Sequence, residues 1–156
     1  MAIVLIGEDE PDVSLALKTI FSRAGHRVLT AADGVTILEM ARHWKPDLMI
    51  LDIAMPHMSG LDVCRALRAE SEIADTPVMM VSGWGFTTDM EAGAAAGADD
   101  YVVKPFDKDD LLCRADTLMA RRAEMRRTAE STQAEAVPVY AARHRRVWED
   151  QPRQST

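Results

Sequence analysis

The sequence is short of cysteine and has no long apolar run. Its two cysteines, Cys64 and Cys113, have no CxxC partner and no neighbouring cluster of cysteine and histidine, which excludes a disulfide framework and a zinc finger. No stretch approaches the ~18 consecutive apolar residues of a membrane helix, and the first residues lack the basic segment of a signal peptide. We therefore predict a cytoplasmic protein without a membrane span, in which both thiols are reduced and lie in or near the core.

A positive overall charge is absent as well, because the formal net charge is -7. This balance argues against nucleic-acid binding by the chain as a whole. The charge is unevenly distributed: residues 121–156 contain eight arginines, no lysine and five acidic residues, so this segment carries about +3 and the remainder about -10. From this difference we predict a domain over residues 1–122 and an arginine-rich C-terminal extension over residues 123–156 that is partly helical or disordered.

What the sequence does contain is an alternation of short apolar runs with segments of helical period. At 156 residues, of which 47% are apolar, the chain can bury a core without disulfides or a structural metal. Near-continuous apolar runs are typical of strands in a parallel sheet that is covered on both faces. We predict five such strands: Ile3 to Ile6, Val28 to Thr30, Leu48 to Leu51, Val78 to Val81 and Tyr101 to Val103.

Helical segments separate these strands. The first covers residues 11–24 and carries its apolar side chains on one face: Val13, Leu17, Ile20 and Phe21. Gly25 is a suitable C-cap for it, and Thr88 with Glu91 has the capping-box pattern for the fourth helix. The others are predicted over residues 34–44, 60–69 and 88–96, and from Asp107 to about Arg127. The alternation predicts an α/β fold, a doubly wound five-stranded parallel sheet with helices on both faces.

Chemically active side chains follow the carboxyl ends of the predicted strands, where open α/β sheets bind their ligands. They are Glu8 and Asp9 after the first strand, Asp52 after the third, Ser82 after the fourth and Lys104 after the fifth. Crowded carboxylates repel one another and call for a cation, and their hard oxygen atoms suit Mg²⁺. A carboxylate can attack phosphorus to form an aspartyl-phosphate, and Mg²⁺ and a lysine would neutralise the developing charge.

Over about residues 2–122 the chain resembles the receiver domain of bacterial two-component response regulators. The resemblance rests on five elements in order: Glu8-Asp9, Leu51-Asp52-Ile53-Ala54-Met55-Pro56, Ser59-Gly60, Ser82-Gly83 and Tyr101-Val102-Val103-Lys104-Pro105-Phe106. Each element alone is a weak signal, but the five together at strand ends are specific. The resemblance implies a flavodoxin-like sheet with strand order 2-1-3-4-5 and five helices.

The resemblance also implies roles in phosphoryl chemistry and signalling. Asp52 is implied to be the phosphoacceptor, and Lys104, joined to the next proline by a cis peptide bond, to contact the phosphoryl group. Ser82 and Tyr101 are implied to form a switch pair that reshapes the surface of the fourth helix, fifth strand and fifth helix, although Tyr101 could also be plain packing. Trp84 could screen the phosphoryl group from water, or simply lie on the surface.

For Mg²⁺, the resemblance implies Asp9 and Asp52 as direct ligands, Glu8 as a ligand through water, and the backbone carbonyl of Ala54 as the remaining protein ligand. Ala54 also bears on the class of protein. A phosphatase with an aspartate nucleophile needs a second carboxylate two residues after it as general acid and base. Alanine in that position argues against a hydrolase, so we expect self-phosphotransfer and autodephosphorylation but no turnover of a substrate.

The preferred hypothesis is a single-domain response regulator. A sensor histidine kinase or a histidine phosphotransfer protein would supply the phosphoryl group, and the output would be altered binding of a downstream protein target. A homodimer is a further expectation, formed by the fourth helix, fifth strand and fifth helix, or by an extended fifth helix in which Leu111, Leu118 and Met125 recur every seven residues.

Two alternatives remain open from the sequence. One is a DNA-binding regulator that uses the arginine-rich tail to contact phosphates, although about 35 residues with few apolar positions scarcely make a helix-turn-helix module, so nucleic acid is an improbable partner. The arginines concerned are Arg121, Arg122, Arg126, Arg127, Arg143, Arg145 and Arg146. The other is a receiver fragment of a longer response regulator.

Overall fold

A computed structural model describes residues 1–149, with side-chain placement for residues 1–132. The strands are β1 (Ile3–Gly7), β2 (Arg27–Ala31), β3 (Leu48–Leu51), β4 (Val78–Ser82) and β5 (Asp100–Val103). All pair in parallel, in the order β2-β1-β3-β4-β5. The predicted flavodoxin-like topology is therefore confirmed.

The interior strands β1, β3 and β4 explain the apolar runs in the sequence. Every residue of β3 and of β4 is buried, because helices cover both faces of the sheet and neither face has to meet water. The outer strand β2, by contrast, has an exposed residue at Arg27 and another at Thr30. Because β1, β3 and β4 are neighbours that pair in parallel, their carboxyl ends lie side by side, which gathers the residues that follow them at one edge.

The helices are α1 (Pro11–Arg23), α2 (Gly34–Trp44), α3 (Gly60–Arg68), α4 (Thr87–Ala96) and α5 (Lys108–Glu149). The strands and the first four helices begin and end within about one residue of their predicted bounds. Gly25 follows α1 with φ 93° and Gly97 caps α4 with φ 102°. This left-handed conformation is one that glycine adopts without steric cost, so both predicted C-terminal glycine positions are confirmed.

The predicted start of α4 is wrong by one residue. The helix begins at Thr87, and Phe86 occupies the N-cap position. The Asp89 carboxylate bonds back to this N-cap residue, because its Oδ2 accepts the Phe86 N–H at 3.1 Å. A capping box requires the acidic residue at the third helical position, and in the observed register that residue is Asp89, not Glu91.

The core has two layers, one on each face of the sheet. Leu5, Met49, Leu51 and Met80 point to one face and pack with α2, α3 and α4. The other layer packs α1 and α5 against the opposite face: Val4, Ile6, Leu17, Phe21, Ile50, Val81, Leu111 and Leu118. Successive residues of a strand point to opposite faces, so each buried strand supplies both layers.

The α5 helix corrects two expectations. Leu111 is fully buried and Leu118 is 6% exposed, and both pack in the sheet core. They cannot form an intermolecular seam with Met125, because the series of apolar residues every three or four positions is the core stripe of α5. Cys113 lies on another face and is exposed, whereas Cys64 is buried. The expectation of a core or near-core position is confirmed for Cys64 and wrong for Cys113.

The chain divides into two units, Met1–Arg122 and a second unit from Ala123 onward. In the second unit α5 continues to Glu149, well past the predicted end near Arg127. The segment loses its apolar period but is rich in alanine, glutamate and arginine, which are strong helix formers even where packing does not decide. The expectations for residues 150–156 lie outside the described residues. Across the part of the chain that is described, no helix combines the length and apolarity needed to cross a membrane.

Candidate functional site

Four strands deliver the predicted site residues to one edge of the sheet. Glu8 follows β1, Asp52 follows β3, Ser82 ends β4 and Lys104 follows β5. Backbone hydrogen bonds hold the neighbours in place: the Asp52 N–H donates to the Gly7 carbonyl at 2.9 Å, and the Lys104 N–H donates to the Ser82 carbonyl at 2.8 Å. The site is therefore an extension of the sheet, and its residues inherit the sheet's register.

Lys104 lies among three carboxylates. Its Nζ is 2.9 Å from Glu8 Oε2, 3.3 Å from Asp52 Oδ2 and 3.8 Å from Glu10 Oε1. Burial by itself lowers the pKa of this ammonium, but hydrogen bonding to Glu8 and the negative charge of Asp52 outweigh it, so the pKa of Lys104 is raised. The lysine thus stays charged and balances only part of the negative charge around it.

Glu8 is a buried carboxylate whose surroundings disfavour its charged form. Its residue is 2% exposed, and burial raises its pKa to about 7, with the negative charge of Asp52 adding to the rise against the opposing contact with Lys104. Glu8 Oε2 lies 2.9 Å from Lys104 Nζ, the distance of an ion pair. Because one ammonium faces three carboxylates here, negative charge is left over that a bound cation would balance.

The donor set fits a hard divalent cation. One oxygen each of Glu8, Glu10 and Asp52 lie within 4.8 Å of one another, and Mg²⁺ in proteins takes one or two carboxylates and keeps several waters. Asp9, the predicted direct ligand, is exposed and does not belong to this three-carboxylate group among the described residues. Ala54 is exposed beside the site, and its N–H donates to Asp52 Oδ1 at 3.4 Å.

The predicted switch residues meet at the loop that follows β4. Ser82 is 1% exposed, and its Oγ accepts the Trp84 N–H at 3.2 Å. The Tyr101 hydroxyl donates to the Trp84 carbonyl at 2.5 Å. Burial raises the pKa of Tyr101, and the neighbouring Ser82 hydroxyl moderates the rise. One loop residue, Trp84, therefore contacts both Ser82 and Tyr101 through its backbone, while its side chain stays half exposed.

Two features of the site were missed by reasoning from the sequence. Glu10 joins the carboxylate group, and the only signal for it was a third acidic residue after β1. Gly60 lies directly on the phosphoacceptor candidate, because a Cβ there would come 2.2 Å from the Asp52 carbonyl oxygen. The detectable signal is the glycine at the start of α3, the helix that follows the loop after Asp52. Because this residue has no side chain, α3 can contact the backbone of Asp52. The cis peptide bond between Lys104 and Pro105 that the resemblance implied is present.

Fold and site together define a doubly wound α/β protein with an acidic, cation-ready pocket at the carboxyl edge of its sheet. The family model for the response regulator receiver domain matches residues 4–116. The chain belongs to this family, the signalling domain of two-component systems.

Similar proteins carry the same assignment. The response regulator MprA of Mycobacterium avium is 37% identical over 134 residues, which cover 86% of this chain and 55% of that protein. The DNA-binding dual master transcriptional regulator RpaA of Synechocystis is 35% identical over 130 residues, covering 83% of this chain and 54% of that protein. The chain therefore spans about half the length of the curated relatives it matches.

Among solved structures, a putative response regulator from Chloroflexus aurantiacus has the same fold. Its TM-score is 0.74 at 30% identity, over 76% of this chain and 98% of that chain. The chemotaxis protein CheY4 of Vibrio cholerae gives a TM-score of 0.72 at 32% identity, over 76% of this chain and 98% of that chain. The similarity covers the sheet and its helices.

Proposed function

We propose that the chain is a signalling receiver in which Asp52 accepts a phosphoryl group from a sensor histidine kinase or a histidine phosphotransfer protein. The observation that carries this is the position of Asp52, a carboxylate only 4% exposed that lies 3.3 Å from the Lys104 ammonium at the sheet edge. An Asp52 oxygen attacks phosphorus, the new P–O bond forms as the P–N bond of the donor phosphohistidine breaks, and the imidazole leaves with the electron pair.

The chain's own residues prepare this step. Lys104 is close enough to Asp52 to exchange its contact with the carboxylate for one with a phosphoryl oxygen, which places positive charge where negative charge develops. Asp9, Asp52, the Ala54 carbonyl and, through a water, Glu8 would hold Mg²⁺, which would supply positive charge beside the phosphoryl group. The group of three carboxylates around a single ammonium supports a cation here.

The ligand role of Asp9 can be separated from that of Glu10. Asp9→Asn is expected to weaken Mg²⁺ binding more than Glu10→Gln does, because a direct ligand loses more than a peripheral charge. Magnesium titration followed by tryptophan fluorescence or calorimetry measures both constants. A larger loss in Glu10→Gln would transfer the ligand role to Glu10, in agreement with its place in the group of three carboxylates.

Signal output is proposed to pass through Ser82 and Tyr101. The Ser82 hydroxyl would donate to a phosphoryl oxygen, and the Trp84 backbone, which contacts both switch residues, would move with it. The reshaped surface of α4, β5 and α5 would then alter the binding of a protein partner or of a second copy of the chain, in the cytoplasm where such kinases act.

A second candidate is the receiver part of a DNA-binding transcriptional regulator. It is favoured by the relatives described as DNA-binding or transcriptional regulators and by the half-length coverage of their chains. One of the arginines considered for DNA contact is held in the fold. Arg122 is only 9% exposed, and its guanidinium donates to the Pro46 carbonyl at 2.9 Å. Salt-dependent binding of duplex DNA by the full chain would favour this candidate; lack of retention at low salt would contradict it.

The decisive experiment is phosphorylation with acetyl phosphate and Mg²⁺, followed by intact mass and by acid-labile label. We expect one phosphoryl group per chain in the wild type and none in Asp52→Asn. Asp116→Asn is a matched control, because Asp116 is an exposed carboxylate on α5. Labelling of Asp52→Asn at the wild-type rate would overturn the assignment.

A further inference from the structure

One residue of α4, Gly93, is a glycine within a run of alanines. The helix contains the run Ala92-Gly93-Ala94-Ala95-Ala96, and Gly93 is buried. Its backbone is helical, and the left-handed glycines of the described chain are Gly25 and Gly97. Glycine inside a helix is less stable than alanine, so a glycine among alanines without a conformational reason points to a need for space.

The space is occupied by the ring of Tyr101. A Cβ on Gly93 would lie 3.0 Å from Tyr101 Cδ2 and 3.4 Å from Cε2, with Met80 Cγ next at 3.8 Å. Carbon atoms attract best at ~3.5–4.0 Å and repel when closer. One edge of the tyrosine ring thus lies on the bare backbone of α4, in a volume that an alanine methyl group would enter.

The opposite end of the same ring is fixed by the β4–α4 loop. The Tyr101 hydroxyl donates to the Trp84 carbonyl at 2.5 Å, and the Trp84 N–H donates to Ser82 Oγ at 3.2 Å. An aromatic ring is rigid, so a shift of its edge away from α4 has to move the hydroxyl as well. The contact with Gly93 therefore affects how closely the hydroxyl approaches the Trp84 carbonyl.

We infer that Gly93 is a positioning residue for Tyr101. By leaving its volume empty, it lets the ring lie against α4 with the hydroxyl on the Trp84 carbonyl, and so links β5 to the loop that Ser82 holds. The use of this link in signalling rests on the proposed function. An alanine at position 93 is expected to push the ring by a few tenths of an ångström towards solvent and to weaken this link.

Tyrosine ionisation tests the inference without any phosphoryl chemistry. In the wild type, burial holds the pKa of Tyr101 above its ordinary value; in Gly93→Ala it should fall back towards that value as the ring is displaced. Absorbance titration measures it, and Tyr101→Phe separates Tyr101 from Tyr140. Ala94→Gly is the control, because Ala94 is exposed on the same helix; it should leave the titration unchanged. An unchanged pKa in Gly93→Ala overturns the inference.

Two further measurements, one of thermal unfolding and one of fluorescence, also test the inference. If Gly93→Ala is too unstable to titrate, the double variant Gly93→Ala/Tyr101→Ala should recover most of the lost thermal midpoint; no recovery would overturn the inference. Trp84 fluorescence on adding Mg²⁺ and fluoroberyllate, with Trp84→Phe as the blank, should change in the wild type and change much less in Gly93→Ala; equal changes in both would overturn it. A wild type that gives no response counts against the proposed function, and the ionisation result then decides the role of Gly93 alone.

Discussion

The two edges of the sheet surround their partly buried cations with different partners. At the amino edge, Arg68 donates to the carbonyls of Gly97, Ala74 and Thr76 and to the Asp99 carboxylate, at 2.5 to 2.9 Å. At the carboxyl edge, Lys104 faces three carboxylates. The arginine is matched by its acceptors, whereas the single positive charge of the lysine leaves negative charge around it uncompensated.

Arg122 also lies at the amino edge of the sheet. Its guanidinium donates to the Pro46 carbonyl at 2.9 Å and lies 3.5 Å from Asp75 and 3.9 Å from Asp47, all in segments that precede β3 and β4. Arg122 Nε has no hydrogen-bond partner among the described residues, but the contacts of the two terminal nitrogens stabilise the fold, whereas excess negative charge costs stability unless a ligand arrives. Substitutions at the amino edge should therefore change stability, and substitutions at the carboxyl edge should change binding and chemistry.

The largest expected effect is at the amino edge. Arg68→Ala leaves three carbonyls without the arginine donor and removes the ion pair with Asp99, which keeps the Val78 N–H as a donor, and should lower the free energy of unfolding by about 2–4 kcal/mol. Arg65→Ala is the control, because Arg65 makes an exposed i,i+3 pair with Asp62, and it should cost less than about 0.5 kcal/mol. Urea unfolding measures both. Equal costs for the two variants would remove the distinction between the edges.

At the carboxyl edge, a substitution is expected to raise the free energy of unfolding rather than lower it. Glu8→Gln removes a buried charge that also lies near the Asp52 carboxylate, and should raise the free energy of unfolding at pH 8 without divalent cations by on the order of 1–2 kcal/mol. The same variant should bind Mg²⁺ more weakly. Glu91→Gln, on the exposed face of α4, should do neither. A loss of stability in Glu8→Gln would show that its contact with Lys104 outweighs its burial.

The pH dependence of stability isolates the same residue. The folded protein holds a proton on Glu8 up to about pH 7, against 4.5 in the unfolded chain. The folded state thus binds more protons between these values, so this group lowers the free energy of unfolding as the pH rises through the window. Wild type minus Glu8→Gln, measured without divalent cations from pH 4 to 8, should fall with pH. A flat difference would contradict the raised pKa.

A smaller effect is expected in the loop after Asp52. His57 has φ 65°, a conformation that costs a residue with a side chain roughly 1 kcal/mol more than glycine. His57→Gly should therefore stabilise the fold by up to about that amount, less the added entropy of the unfolded chain. Thermal unfolding checks this. Destabilisation would mean that the imidazole makes contacts worth more than the backbone strain.

The smallest expected effect concerns Trp84. Its side chain is 51% exposed, beside the proposed phosphoryl site, and the screening hypothesis predicts somewhat faster loss of phosphate in Trp84→Ala. Following the decay of label on Asp52 after removal of the phosphodonor measures the lifetime. An unchanged lifetime would leave Trp84 as a surface residue whose backbone alone matters.

The sheet and most of the site were predictable because parallel strands buried on both faces leave a strong sequence signal, and strand ends converge whatever the loops do. Side-chain directions in the loop after β1 have no such periodicity, so the grouping of Glu10 in place of Asp9 could not be foreseen. The phase of α5 could have been: Leu111, Ala115, Leu118 and Arg122 follow one helical stripe, which predicts a core face and a buried arginine rather than a seam.

The contrast between the two cysteines has a practical consequence. Cys64 is buried, and burial raises the pKa of its thiol, so little of the reactive thiolate forms. Cys113 lies exposed on α5, beside the ion pair of Arg114 and Asp100. A maleimide dye or spin label should therefore attach at one position of the natural sequence, giving a reporter on the α5 surface that needs no substitution.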